Sequence, residues 1–220
     1  MNADRKKKNK EPVRWGRLLL AAGLLIGVIL LTALVLSRIF PEDQDAMDYA
    51  PSYVDKQLLT KNPNSRPGNR LSYVKNIVIH YVANPGTSAQ ANRNYFENLQ
   101  NKANNPEGVK ASAHFIVGLN GEVVQCIPLT EIAYANYPRN DDTISIEVCH
   151  PDESGEFSAE TYQAVVRLTA DLLKDYGLKA DDVIRHYDVS GKNCPKYYVE
   201  HEDAWQKLRE DIREELKTKE

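Results

Sequence analysis

Residues Leu18 to Leu36 form a run of nineteen residues without a charge, built from Leu, Ala, Gly, Ile, Val and one Thr. No other feature constrains the fold as much. At ~1.5 Å rise per residue such a run nearly spans a hydrocarbon layer of ~30 Å. In lipid a lone segment satisfies its backbone polar groups only as a helix. Ahead of the run stand Arg5, Lys6, Lys7, Lys8, Lys10, Arg14 and Arg17 against Asp4 and Glu11. This excess of cations places residues 1–17 as a cytoplasmic basic tail and everything after Ile39 outside the cell membrane. A cleaved signal peptide is the competing reading. Its apolar stretch is shorter, about 7–15 residues, and ends in a small-x-small site, whereas this run leaves through Leu36-Ser37-Arg38-Ile39-Phe40. The sequence therefore predicts an uncleaved single-pass anchor over 18–39.

Beyond the anchor the charge reverses. Residues 41–220 carry 20 basic and 29 acidic side chains, which argues against a nucleic-acid partner, because phosphate binding needs a basic footprint. The stretch 40–54 is acidic at first, with Glu42, Asp43, Asp45 and Asp48, and has no apolar period. It reads as a linker. Residues 55–220 suffice for one domain with its own core.

Within that domain the pattern alternates strands and helices. Tyr53 to Thr60 reads as a short helical segment. Val74 to Val82 is a nearly continuous β-branched run that ends on His80-Tyr81-Val82, as expected of a strand covered on both faces. Ser88 to Gln100 reads as a capped helix with Ala91, Tyr95, Phe96 and Leu99 on one face. Ala113–Gly118 and Glu122–Ile127 flank an Asn120-Gly121 pair, a strong hairpin signal. Thr143 to Cys149 is a further strand. Ser158 to Tyr176 and Asp203 to Lys217 are amphipathic helices, the first ended by Gly177. This order predicts an α/β fold, a mixed central β-sheet flanked by helices. Of the three cysteines, Cys126 and Cys149 read as buried free thiols, with a disulfide between them as the alternative.

The chemistry gathers near the C-terminus. Val183-Ile184-Arg185-His186-Tyr187-Asp188-Val189-Ser190-Gly191-Lys192-Asn193-Cys194-Pro195 sets a histidine and a cysteine eight residues apart, with a Ser-Gly turn between them. A loop of this kind can bring an imidazole and a thiolate to one point, two of the three protein ligands of an open zinc site. His80, at the end of the strongest strand, can supply the third. Glu147 sits inside Ile144-Ser145-Ile146-Glu147-Val148-Cys149. It is either a surface-facing strand residue or a general base. Lys192 is either a solvated loop lysine or a cation that holds an oxyanion. His114, in Ser112-Ala113-His114-Phe115, is either a fourth ligand, which would close the site, or a group beside the ligands or the substrate. The second is favoured.

Taken together, these segments resemble the zinc N-acetylmuramoyl-L-alanine amidases of the type-2 family, related to phage lysins and peptidoglycan recognition proteins. The resemblance covers roughly residues 55 to 212, and its most specific part is His-Tyr-Asp-Val-Ser-Gly-Lys-Asn-Cys-Pro. It implies one Zn2+ on His80, His186 and Cys194, Glu147 as the base and Lys192 as the group that stabilises the transition state. It implies peptidoglycan as the substrate, cut at the amide between N-acetylmuramic acid and L-alanine. A tyrosine that precedes the second-strand histidine in some relatives is Ala113 here. The bulky segment after the hairpin reads Ala133-Tyr134-Ala135-Asn136. Two other readings stay open, a wall-binding module without catalysis and a zinc hydrolase of another wall-peptide amide.

Overall fold

The computed structural model describes residues 51–219, together with Gly23, Ile26, Gly27 and Thr32. The chain divides into two compact units, 1–43 and 44–220. The basic tail at 1–17, the anchor at 18–39 apart from those four residues, and most of the expected linker lie outside the described residues. Among the described residues no helix is long and apolar enough to cross a membrane.

The second unit carries strands β1 (Val54–Lys56), β2 (Asn76–Ile79), β3 (Phe115–Val117), β4 (Val123–Gln125), β5 (Thr143–Val148) and β6 (Val183–Arg185). They form one sheet in the order β1-β4-β3-β5-β2-β6. Only the β3–β4 pair is antiparallel. The mixed central sheet flanked by helices is thus present as the sequence predicts.

Each strand's period of two sends successive side chains to opposite faces. Ile77, Ile79, Phe115, Val117, Ile144 and Ile146 pack on one face under α2 (Ala159–Tyr176) and, with them, Trp205, Leu208 and Ile212. Those last three come from a long C-terminal helix, Glu202–Lys217. Burying Leu208 or Ile212 contributes on the order of 1.5–3 kcal/mol each. On the other face Ile116, Val124 and Cys126 meet α1 (Ala89–Asn98) through Phe96 and Leu99. Both faces are covered, which is why Phe115-Ile116-Val117 is buried throughout.

Helix α1 starts where the sequence predicts, with Ser88 Oγ accepting from the Ala91 N–H at 3.2 Å. Its inner face keeps two of the four expected residues. Ala89, Phe96 and Leu99 are buried, while Ala91 and Tyr95 face solvent, Tyr95 with 53% of its surface exposed. At 100° per residue, the stripe through 89 and 96 lies well around the helix from the one through 91 and 95. The hairpin forms as predicted. Gly121 takes φ +80°, and a Cβ there would come within 2.8 Å of the Glu160 carbonyl oxygen, so the turn needs glycine on both counts.

Two segments depart from expectation. The helical segment predicted over 53–60 is instead β1, lying parallel to β4 with Val54 opposite Val123 and Lys56 opposite Gln125. The Gln57 and Leu59 N–H groups continue the pairing to the Gln125 and Cys126 carbonyls. A segment this short gains little as an isolated helix, whereas β4 offers a row of backbone partners that need satisfying. Tyr53 and Val54, expected in the linker, belong to the folded unit. Tyr53 donates its hydroxyl to Asp171 Oδ2 at 2.8 Å. The expected site loop after His186 contains a five-residue helix, α3 (His186–Ser190), ended by Gly191 at φ +76°. It leads into α4 (Lys196–Glu200) and α5 (Glu202–Lys217).

Candidate metal centre

The site is built at the C-terminal ends of three neighbouring parallel strands. Ile79 of β2 lies opposite Ile146 of β5 and opposite Arg185 of β6. One residue further along each strand stand His80, Glu147 and His186. The ladder holds them level, since His80 N–H donates to the Ile146 carbonyl at 2.9 Å and Val82 N–H to the Val148 carbonyl at 3.1 Å. Register alone therefore brings together three residues that are far apart in sequence.

Cys194 reaches the same place through a closed turn. Tyr187 N–H donates to the Cys194 carbonyl at 2.9 Å. Arg185 pins the base of that turn. Its backbone N–H and guanidinium bond Asp188, and its Nη1 bonds the Tyr198 carbonyl at 3.0 Å and Glu202 at 2.7 Å. His80, His186 and Cys194 then form the one group among the described residues that could hold a metal ion, with donor atoms within 4.8 Å of one another. Cys194 Sγ lies 3.8 Å from His80 Nδ1, and Glu147 Oε1 lies 3.8 Å from the same nitrogen.

The donors suit a cation. His80 is buried, and burial together with the nearby His186 pushes its pKa down to about 3, partly offset by its bond to Asn136. His186 is pushed down to about 4 by burial and by the Lys192 charge. Both imidazoles are therefore neutral at pH 7 and carry a lone pair. His186 Nδ1 is buried with no hydrogen-bond partner among the described residues, a costly state unless something else occupies that lone pair. The Cys194 thiol is pushed up to about 12 by burial and the neighbouring Glu147, against a backbone N–H bond from Tyr81 and the Lys192 charge. A divalent cation would displace its proton.

Glu147 keeps 18% of its side chain exposed, yet its Oε2 is buried and unpartnered. Burial raises its pKa to about 8, with the Lys192 ammonium pulling the other way. Lys192 is exposed, and its charge is felt by His80, His186, Glu147 and Cys194 alike. A metal group, a carboxylate with a raised pKa and an exposed cation at one point can activate water and stabilise an oxyanion.

His114 stands apart from this group. Its Nδ1 accepts from the Ser145 backbone N–H at 3.0 Å, and its Nε2 bonds the Glu131 carbonyl at 3.0 Å. It is 1% exposed. With both nitrogens bonded to the protein, it is not part of the group that could hold a metal ion. Cys126 and Cys149 are buried free thiols.

Sequence reasoning missed Asn136. It is buried beside His80, with its Oδ1 2.7 Å from His80 Nε2. The residue lies in an irregular stretch with no period to mark it. The only signal is the density of polar residues in Asn136–Thr143, too many to be left unpaired next to a buried strand.

Fold and site together define an α/β domain in which two histidines at the ends of parallel strands and a cysteine from the following turn could hold a metal ion. Residues 70–197 match the family model described as N-acetylmuramoyl-L-alanine amidase, Amidase_2, over more than half of the chain. The chain belongs to this family. It is 36% identical over 162 residues to the N-acetylmuramoyl-L-alanine amidase CwlL of Bacillus licheniformis, covering 66% of this chain and 42% of that protein. It is 32% identical over 179 residues to the N-acetylmuramoyl-L-alanine amidase BlyA of Bacillus subtilis (strain 168), covering 72% and 46%. The chain thus spans less than half the length of these curated relatives. Among solved structures, the catalytic domain of XlyA superposes with a TM-score of 0.60 at 26% identity, covering 72% of this chain and 98% of that one.

Proposed function

We propose that the chain is a zinc-dependent N-acetylmuramoyl-L-alanine amidase, which hydrolyses the amide between the lactyl group of N-acetylmuramic acid and the L-alanine of the stem peptide. The observation that carries this reading is the convergence of His80, His186 and Cys194 beside Glu147, in a chain whose relatives bear that name. Two imidazoles and a thiolate are a donor set that suits zinc, and these three residues would hold it. A bound zinc supplies Lewis acidity, which polarises an amide carbonyl and eases deprotonation of water near neutral pH.

The chain's own residues do the rest. Glu147 accepts a proton from the attacking water. The water oxygen bonds to the lactyl carbonyl carbon, and Lys192 faces the charge that builds on the carbonyl oxygen. As the carbon–nitrogen bond breaks, Glu147 passes its proton to the departing alanine nitrogen. The muramic acid keeps a carboxylate, and the stem peptide leaves with a free amine. Burial holds the Glu147 carboxyl up at about 8 against the pull of Lys192, and a bound cation would lower it further and favour the carboxylate that takes the proton.

The location follows from the sequence. The tail 1–17 lies in the cytoplasm, 18–39 anchors the chain in the cell membrane, and the acidic linker holds the catalytic domain on the outer side, facing the wall. Mass spectrometry of the products from a defined muropeptide tests the activity. The expected products are a stem peptide with a free L-alanine amine and a glycan with an intact lactyl carboxylate. A cut inside the peptide would name another amide as the substrate. Binding without products would make the domain a wall-binding module. Release of the full chain from membranes by alkaline wash would refute the anchor.

A further inference from the structure

Asn136 holds more than a place beside a ligand, because its hydrogen bonds have a direction that can be read from one end. Thr143 Oγ1 has a single proton, which goes to the Arg139 carbonyl at 2.7 Å. The oxygen must then accept from its other neighbour, Asn136 Nδ2, at 2.9 Å. That fixes which way the carboxamide faces and turns Asn136 Oδ1 toward His80 Nε2, 2.7 Å away. An oxygen there only accepts, so Nε2 of His80 must carry the proton. The lone pair is left on Nδ1, the nitrogen that faces Cys194 Sγ and Glu147 Oε1 at 3.8 Å each. Asn136, Thr143 and His80 are all at most 2% exposed, so bulk water does not reach them. The loop is itself fixed. Asn140 Oδ1 accepts from the Asn136 and Ala135 N–H groups at 2.6 and 3.1 Å, and Arg139 binds Asp142 and Asn76.

We propose that Asn136 is a positioning residue that sets the tautomer and ring orientation of His80, with Thr143 and the Arg139 carbonyl setting Asn136 in turn. A histidine with one nitrogen held by a neutral acceptor is pre-formed to give the other to a metal. Without Asn136 the free imidazole can take its proton on Nδ1, and the ring is free to turn. The role in catalysis rests on the zinc reading above; the tautomer does not.

The test uses the full-length chain in detergent, first freed of metal. Nitrogen-15 NMR of the wild-type protein is expected to show His80 neutral with its proton on Nε2; a proton on Nδ1 overturns the proposal at once. Asn136→Leu, which keeps the volume and removes the acceptor, is expected to give a mixed or Nδ1–H tautomer. It is also expected to weaken zinc binding roughly 10–100-fold in competition with a chromophoric chelator. Asn136→Asp restores an acceptor and is expected to recover the Nε2–H tautomer and most of the affinity. Thr143→Val, which leaves the carboxamide free to flip, is expected to fall between them. If Asn136→Leu keeps both the wild-type tautomer and the wild-type affinity, the proposal is wrong. If the wild-type chain binds no zinc, the metal reading fails instead, and the tautomers alone decide the role of Asn136.

Discussion

His80 and His114 are alike in sequence context and differ in what surrounds them. Both follow or open an apolar strand, both are buried to within 2% of their surface, and burial lowers the pKa of both. Around His114 the protein uses both nitrogens, one for the Ser145 N–H and one for the Glu131 carbonyl. Around His80 it uses one, for Asn136, and leaves the other among a thiol, a carboxylate and a second imidazole. Burial and strand position thus do not make a histidine a ligand. What matters is a lone pair that the protein leaves uncommitted, in the company of other donors.

The sharpest way to break this comparison is to remove ligands on one side only. His80→Ala or Cys194→Ser is expected to take the purified chain from one zinc to none and to abolish release of stem peptide. Full zinc content in either variant would sink the three-donor site. Next in size is Glu147→Gln, which keeps the shape and removes the base. It is expected to retain zinc and lower kcat by about 10²–10⁴-fold; an unchanged kcat would move the proton transfer to another group. Lys192→Met follows, with kcat down by about 10²–10³-fold and an unchanged melting temperature, because the side chain is exposed.

The smallest expected effect is on the other side of the comparison. His114→Gln can accept from Ser145 and donate to Glu131, so zinc content and kcat should stay at wild-type values, with stability changed by about 1 kcal/mol or less. Its signature is in acid. His114 titrates at about 4 in the fold and near 6.5 when unfolded. Between those values the unfolded chain holds more protons, so stability falls as pH falls, and the contribution is fully present above about 6.5. His80 and His186 add to the same slope in the metal-free chain. His114→Gln should flatten the plot of melting temperature against pH over that window; a slope identical to wild type would mean that His114 takes up its proton alike in the folded and unfolded chain.

Much of the fold and the site is legible in the amino-acid pattern. The long helices are readable because their apolar period, Ser158 as a cap and Gly177 as a stop agree with the tertiary answer. The hairpin is readable because Asn120-Gly121 suits few other conformations. The residues of the metal group are readable because histidine, cysteine and a carboxylate in apolar strand ends are expensive to bury without a purpose. The first strand is not. Val54–Lys56 has no local preference strong enough to declare itself, and its conformation is decided by the backbone of β4. The inner face of α1 is equally hidden, since several apolar residues compete for it and only the sheet beneath selects among them.

By itself, then, the sequence supplied the residues on which the proposed chemistry rests and, through the uncharged run 18–36, the prediction of an anchor. Local periodicity and residue type are properties of the chain alone. The tertiary structure decided which histidine is free to bind a metal. That depends on strand register, which sets His80 level with Glu147 and His186, and on partners distant in sequence, Asn136 for one imidazole and Ser145 and Glu131 for the other. Hydrogen bonds between residues tens of positions apart leave no period in a sequence.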